Sequence, residues 1–290
     1  MRWLLILLLL SLKLATQAQG FLDLAKIEYL QGLQTANYDE FQSLRLTAQT
    51  PILLKNEGVI PMGFALGGYH LALDETSFSP RSIRFNIGYR GKLDDEKSWT
   101  LMTIHRMNGD AFAIDSDLYQ FGLIGLFTYR DKPGPMLQFG FYTNTEFSGQ
   151  FFTPLFGLDW NITPRIRLFG VLPINGTLQI TANDRLLYGF NFLGVFATYK
   201  LGNRDLYLQE NFIQPSLYAD LYLSRQVVIN TKVGYRIGSN NRLFAEGDKV
   251  DIALNLVRIG DDRLELENIT TNGLMISAGL AFRYAIPEND

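Results

Sequence analysis

The sequence has no cysteine, so neither a disulfide framework nor a thiolate metal site is available to it. Histidine is nearly missing as well: His70 and His105 are the whole supply, which leaves few general bases and metal ligands. After Leu14 no apolar run approaches the roughly 20 residues that a membrane-spanning helix requires. Helical membrane spans are thereby excluded, whereas a closed β-barrel, which satisfies its backbone between strands, is not. A basic excess is lacking too, with 26 Lys and Arg against 29 Asp and Glu, and no nucleic-acid partner is expected. Phosphate-cradling glycine loops, dinucleotide fingerprints and Ser or Cys catalytic signatures do not occur. No Pro-, Gly- or Ser-rich linker and no charge block divides the chain.

The first residues, "MRWLLILLLLSLKLATQAQG", place Arg2 ahead of an apolar run from Leu4 to Leu12 and a small-residue stretch ending at Ala18. That is the pattern of a secretory signal peptide rather than an anchor. Cleavage after Ala18 is expected, giving a leader over 1–18 and a single domain over 19–290. Loss of Arg2 and Lys13 leaves 24 basic side chains against the 29 acidic ones.

A period of two runs through what remains. In "GLMISAGLAFRY", Leu274, Ile276, Ala278, Leu280, Phe282 and Tyr284 alternate with Gly273, Met275, Ser277, Gly279, Ala281 and Arg283. "SIRFNIGYRGK" sets Ile83, Phe85, Ile87 and Tyr89 against Arg84, Asn86, Gly88 and Arg90, and "VVINTKVGYRIG" and "KVDIALNL" read the same way. Successive side chains of a strand point to opposite faces, so each run is a strand with one oily and one mixed face. No long window carries the helical spacing.

Turn signals separate the runs: "KNEG" at 55–58, "LDDEK" at 93–97, "DKPG" at 131–134, "NITP" at 161–164, "NDR" at 183–185 and "GNRD" at 202–205. Longer polar gaps alternate with them, as in an up-and-down barrel with short turns at one rim and longer loops at the other. The expected fold is all-β, a single transmembrane up-and-down antiparallel barrel of about 14 strands. Splitting at Asn175-Gly176 and at Pro215 would give 16; losing the first pair would give 12.

Alternation alone fits either a soluble sandwich with the oily face inward or a lipid-facing barrel with it outward. The mixed face favours the barrel, because it combines Gly, Ala, Ser and Asn with isolated Arg, Lys and Asp, as a crowded polar lumen does. Tyr69, Tyr89, Trp99, Tyr129, Trp160, Tyr199 and Tyr284 fall near strand ends, where interfacial girdles sit. The final strand ends on Phe282 and Tyr284, the kind of terminal signal read by the barrel-assembly machinery.

The segment "PLFGLDWNITPRIRLFGVLPINGTLQITANDRLLYGFNF", Pro154 to Phe192, with the terminal "GLAFRY", resembles a family of outer-membrane β-barrel proteins of Gram-negative bacteria that carry a domain of unknown function. The resemblance implies a fold and an outer-membrane location and brings no catalytic residues with it.

The lumen-lining residues expected from parity are Arg84, Asn86, Arg90, Asn191, Asp220, Asn230, Lys232, Arg236, Asp251, Asn255 and Arg283. Two readings of them stand. Either they pair, as Asp251 with Lys232 or Arg283, and stiffen the barrel, or their Arg and Lys excess lines a porin-like path favouring small anionic solutes. A barrel without transport, binding partners through loops 106–117 and 259–272, is the further alternative. A lipid hydrolase would need His70 or His105 within reach of a nucleophile such as Ser77 or Ser79, with Asp74 or Glu75 as orienting acid. Neither a His-x-Ser spacing nor a serine elbow is present, and no catalytic, cofactor or metal site is expected. Asp110, Asp115, Asp117, Asp261 and Asp262 read as solvated loop charge.

Overall fold

The computed structural model describes residues 20–33, 40–73, 76–131, 134–202, 205–254 and 258–285. The leader expected at 1–18 lies outside them, as do Asp74, Glu75 and Asn255. The strands are β1 (Phe21–Gly32), β2 (Glu40–Leu53), β3 (Val59–Leu73), β4 (Thr76–Phe78), β5 (Arg81–Lys92) and β6 (Lys97–Gly109). They continue with β7 (Tyr119–Arg130), β8 (Met136–Glu146), β9 (Gly149–Thr163), β10 (Ile166–Leu172), β11 (Asn175–Asn183) and β12 (Leu186–Leu201). The last six are β13 (Leu206–Tyr222), β14 (Val227–Ala245), β15 (Val250–Leu254), β16 (Arg258–Ile259), β17 (Glu267–Thr270) and β18 (Gly273–Ala285).

Fourteen of these strands form a closed antiparallel barrel; β4, β15, β16 and β17 are short additions. β1 closes it, setting Tyr29 beside Ala278 of β18 on one side and Leu44 of β2 on the other. The oily faces point outward. Ile27, Leu44, Leu46, Phe64, Phe85, Ile87, Leu101, Phe139, Phe190, Leu217, Leu221, Val233, Leu280 and Phe282 are all exposed, Leu217 at 67%. An apolar band of this extent is not a water-facing surface. The alternation therefore reports the barrel wall, with polar residues turned in.

The start of β1, the end of β18, the connections 54–58, 93–96, 164–165, 184–185 and 223–226, and the facing ends of β7 and β8 share one rim, here the turn rim. The connections at the other, loop rim differ widely in length, from 147–148 to 246–272. The segment around Asn175 does split into two strands, but the turn lies at 173–174 and Asn175 already pairs with Val171. Pro215 splits nothing: β13 passes through it, with Pro215 opposite Phe192.

β10 and β11 are short, and their hairpin leaves a notch in the wall. Above it β9 loses its β10 partner beyond Phe156, and β12 loses its β11 partner beyond Leu193. Two exposed edges result, and each is managed differently. β15 adds in parallel to the β9 edge, with Val250 opposite Gly149 and Leu254 opposite Phe152. The β12 edge instead turns into the bore. It takes β13, the upper part of β14 and β17 along as an inward flap of the sheet.

The bend falls where the β13–β14 register shifts between Asn211 and Ile213 and Gly238 takes φ +60°. An extra residue in one strand bends and twists the pair locally, and the left-handed backbone there suits glycine. One flap face, carrying Ala197, Tyr199, Leu201, Leu208, Leu243 and Ile269, packs on Phe41, Tyr69, Leu71, Phe78 and Met275 from the opposite wall. On its other face Phe196 stacks on Phe151 of β9, with ring centroids 4.7 Å apart. At the loop rim the barrel is thus filled by a middle layer of its own sheet.

Candidate functional site in the barrel lumen

The edge strand of the flap carries backbone groups that have lost a wall partner, and a buried amide must be satisfied. Thr198, fully buried, is where that happens. Its N–H donates to Glu146 Oε2 at 3.1 Å, and its carbonyl accepts from Asn108 Nδ2 at 3.0 Å. Its hydroxyl donates to Glu146 Oε2 at 2.7 Å and accepts from Gln120 Nε2 at 2.8 Å and from the Phe147 N–H at 2.9 Å. Glu146 is ion-paired with Arg106 and accepts from Asn144 at 2.9 Å. Asn108, Gln120 and Glu146 lie on the inward faces of β6, β7 and β8, across the bore from β12. Together they act as a clasp holding the flap.

Toward the turn rim the inward charges of β1, β9, β10, β13, β14 and β18 are paired. Arg283 donates from Nη1 to Asp220 at 2.7 Å and from Nε to Asp23 at 2.5 Å, and Asn230 donates to Asp220. Lys232 sits 3.0 Å from Glu28, Lys26 donates to Asn230 at 3.2 Å, and Arg167 chelates Asp159 through two 2.7 Å bonds. Just below the flap, Arg236 reaches Gln214 at 3.2 Å and Glu210 at 3.4 Å. Its guanidinium lies 4.1 Å over the Phe41 ring and 3.9 Å over that of Phe212. These contacts tie β1, β13, β14 and β18 to one another through the lumen.

Of the residues selected by parity, Asp220, Asn230, Arg236 and Arg283 are buried in this network, and Lys232 joins it through Glu28. Asn86 donates to Met102 Sδ at 3.6 Å, and Arg90 to Ser98 Oγ at 3.3 Å. Asn191 lies in register between Thr177 and Ser216. Arg84 faces the bore and remains exposed. Asp251 is a correction: it belongs to β15, outside the barrel ladder, and is exposed, while Lys232 pairs with Glu28, and Arg283 with Asp220 and Asp23. "KVDIALNL" alternates like a wall strand, but its register slips between Val250 and Ile252 as it patches the β9 edge.

Parity reasoning passed over Arg45, Arg106, Glu28, Glu146 and Glu210. "SLRLTAQ" does alternate, Leu44, Leu46 and Ala48 against Ser43, Arg45 and Thr47, so Arg45 was legible. Glu146 and Glu210 stand at a strand end and within a flap, where no period marks them.

The two histidines lie on the outer side of the sheet. His105 Nδ1 is 2.8 Å from the Tyr119 hydroxyl, with its ring 5.5 Å from that of Phe121. His70 Nδ1 is 3.0 Å from Ser79 Oγ, because β4 returns the chain along β3. Spacing had not foreseen that contact. No acidic partner of His70 occurs among the described residues. In the loops, Asp110 accepts the Gly202 N–H at 3.1 Å and Asp261 pairs with Arg263 at 2.8 Å.

No protein-family model and no curated protein sequence matches the chain. Among solved structures it is similar to the NanC porin, at 9% identity over 88% of this chain and 98% of that one, with a TM-score of 0.39. It is also similar to the translocator domain of the autotransporter NalP from Neisseria meningitidis, at 8% identity over 98% and 94%, TM-score 0.35. A third is LpxR from Salmonella typhimurium, at 9% identity over 89% and 99%, TM-score 0.35.

Proposed function

We propose that the chain, exported and cleaved after Ala18, is an outer-membrane β-barrel of a Gram-negative bacterium that passes small solutes in the manner of a porin. The turn rim would face the periplasm, and the last strand, ending on Phe282 and Tyr284, would be read by the barrel-assembly machinery. The observation that carries this reading is a polar, charge-lined bore inside a closed barrel whose outer surface is apolar. Arg45, Arg84, Arg90 and Arg130 remain exposed on the inward face below the flap, so the bore is not packed solid there. The flap closes the loop rim, and the clasp at Thr198 sets how firmly.

The test is single-channel recording of the refolded barrel in planar bilayers, with heat-modifiable gel mobility confirming that it is folded. Brief, infrequent openings are expected for the unaltered chain, and longer openings when Glu146→Ala removes the clasp. A folded Glu146→Ala barrel that stays sealed at every voltage would end the transport reading. The filled loop rim would then favour the alternative, a non-transporting barrel acting through its loops.

A further inference from the structure

Most inward charges have a partner of opposite sign. Arg45, Arg84, Arg90 and Arg130 do not; Arg90 donates to Ser98 Oγ and Arg130 to Met136 Sδ, whereas Arg45 and Arg84 make neither an ion pair nor a side-chain hydrogen bond among the described residues, and both are exposed. They project into the bore from β2 and β5, on either side of β3. Between them β3 presents small residues, with Arg84 opposite Ala65 and Arg45 opposite Gly67. The Arg45 side chain lies across Gly67, its Cγ and Nε each 3.7 Å from where a Cβ would stand. On its other side Arg84 faces Arg106 directly across the β5–β6 ladder. Like charges set opposite each other in a sheet are destabilising. The charges that act most on Arg84 are Arg45 and Arg106, and Arg45 in turn acts on Lys232 and Arg236.

The local charge does not cancel. Arg45, Arg84, Arg106, Arg236, Lys232 and Lys26 meet three carboxylates, Glu28, Glu146 and Glu210, each already engaged by a cation. A protein that needed only a stiff wall would not leave two guanidiniums unpaired beside a third. Guanidinium forks match planar carboxylate and phosphate oxygens, and two of them converging favour an anion with more than one negative charge.

We infer that Arg45 and Arg84, across the small-residue floor of β3 and beneath the flap, form a binding site for a small dianion bearing carboxylate or phosphate groups. This deepens the transport reading and rests on it for the route of entry, from the turn rim. The site itself stands independently of conduction.

Isothermal titration calorimetry of the refolded full-length barrel in detergent, with succinate and inorganic phosphate as separate probes against a chloride background, tests it. Saturable binding of at least one probe is expected, weakened tenfold or more by Arg45→Gln and by Arg84→Gln, and unchanged by Lys55→Gln in the 54–58 turn. Binding by only one probe identifies the anionic group. Arg84→Gln should also raise resistance to urea, since it removes a like-charge contact; an arginine held for structure would lower it. No binding to a folded barrel, or equal binding by wild type and both arginine variants, overturns the site. A conducting barrel without binding sinks the site and leaves the transport reading intact. Binding by a barrel that never conducts does the reverse.

Discussion

Thr198 and Glu146 meet across the notch left by the short β10–β11 hairpin: the Thr198 amide donates to Glu146 Oε2 at 3.1 Å, though three strands separate β8 from β12 one way round and nine the other. Glu146 serves that amide, the Thr198 hydroxyl and the Arg106 guanidinium at once. Its removal should therefore uncover a buried cation and a buried N–H together. Breaking such a pair from one side typically costs about 3–5 kcal/mol. Glu146→Ala is expected to lower the urea midpoint of the barrel accordingly, and Glu146→Gln by less. Equal midpoints for Glu146→Ala and wild type would show that the clasp does not hold the flap.

The flap is seated on the opposite wall through Tyr69, 5% exposed, which stacks on Phe41 at 5.3 Å and meets Tyr199 edge-on at 5.9 Å. Its hydroxyl donates to Asn241 at 3.1 Å. Tyr69→Ala opens a cavity between flap and wall and is expected to destabilise the barrel by about 3–5 kcal/mol. Tyr69→Phe, losing the hydrogen bond alone, should cost about 1 kcal/mol. Urea unfolding in detergent measures both.

Gly238 sets the bend of the flap at φ +60°. Space is not the constraint, since nothing lies within 4 Å of an added Cβ. The left-handed backbone is, and Gly238→Ala should cost about 1–2 kcal/mol, with Gly238→Asn costing less. Amide exchange of residues 239–243 should quicken in the Ala variant. Unchanged exchange and stability would mean that the bend is fixed elsewhere.

The outward face can be tested against the inward one at neighbouring positions. Leu217 is exposed on the apolar surface, midway along the wall portion of β13, while Ser216 beside it is buried in the lumen. Leu217→Arg is expected to destabilise the barrel folded in lipid vesicles by about 2–4 kcal/mol. The same variant in detergent-free buffer would be indifferent if the sheet were a soluble sandwich.

In the 93–96 turn, the N–H groups of Glu96 and Lys97 donate to Asp94 Oδ1 at 2.9 and 2.7 Å, and the Lys97 ammonium lies 3.1 Å from Oδ2. These contacts, the Glu96 amide first, hold the Asp94 carboxyl below the ordinary carboxylate range. A depressed folded value means that the turn is stabilised above the unfolded value of about 3.9 and loses that contribution as pH falls through the folded one. A carboxyl NMR titration of Asp94 should show its midpoint below that of an unstructured aspartate. A midpoint at the ordinary value would show that the turn bonds are not formed.

The sequence by itself determined the ribbon. A period of two carried along most of the chain admits only strands, the absence of cysteine removes disulfides and the absence of long apolar runs removes helical membrane spans, and the composition of the two faces assigns Phe85, Ile87 and Phe282 outward. Arg84, Asn230 and Arg283 followed from that parity, because side-chain direction in a strand is local. What the tertiary structure decided is everything that depends on strand length and closure. The short β10–β11 hairpin leaves two edges open, and which edge takes β15 and which folds inward is settled by contacts between walls far apart in the chain. For that reason Asp251 left the lumen, Glu146 and Thr198 became partners, and Arg45 and Arg84 came to share one unpaired corner of the bore. Alternation encodes which side a residue faces; it carries no record of what stands across the barrel.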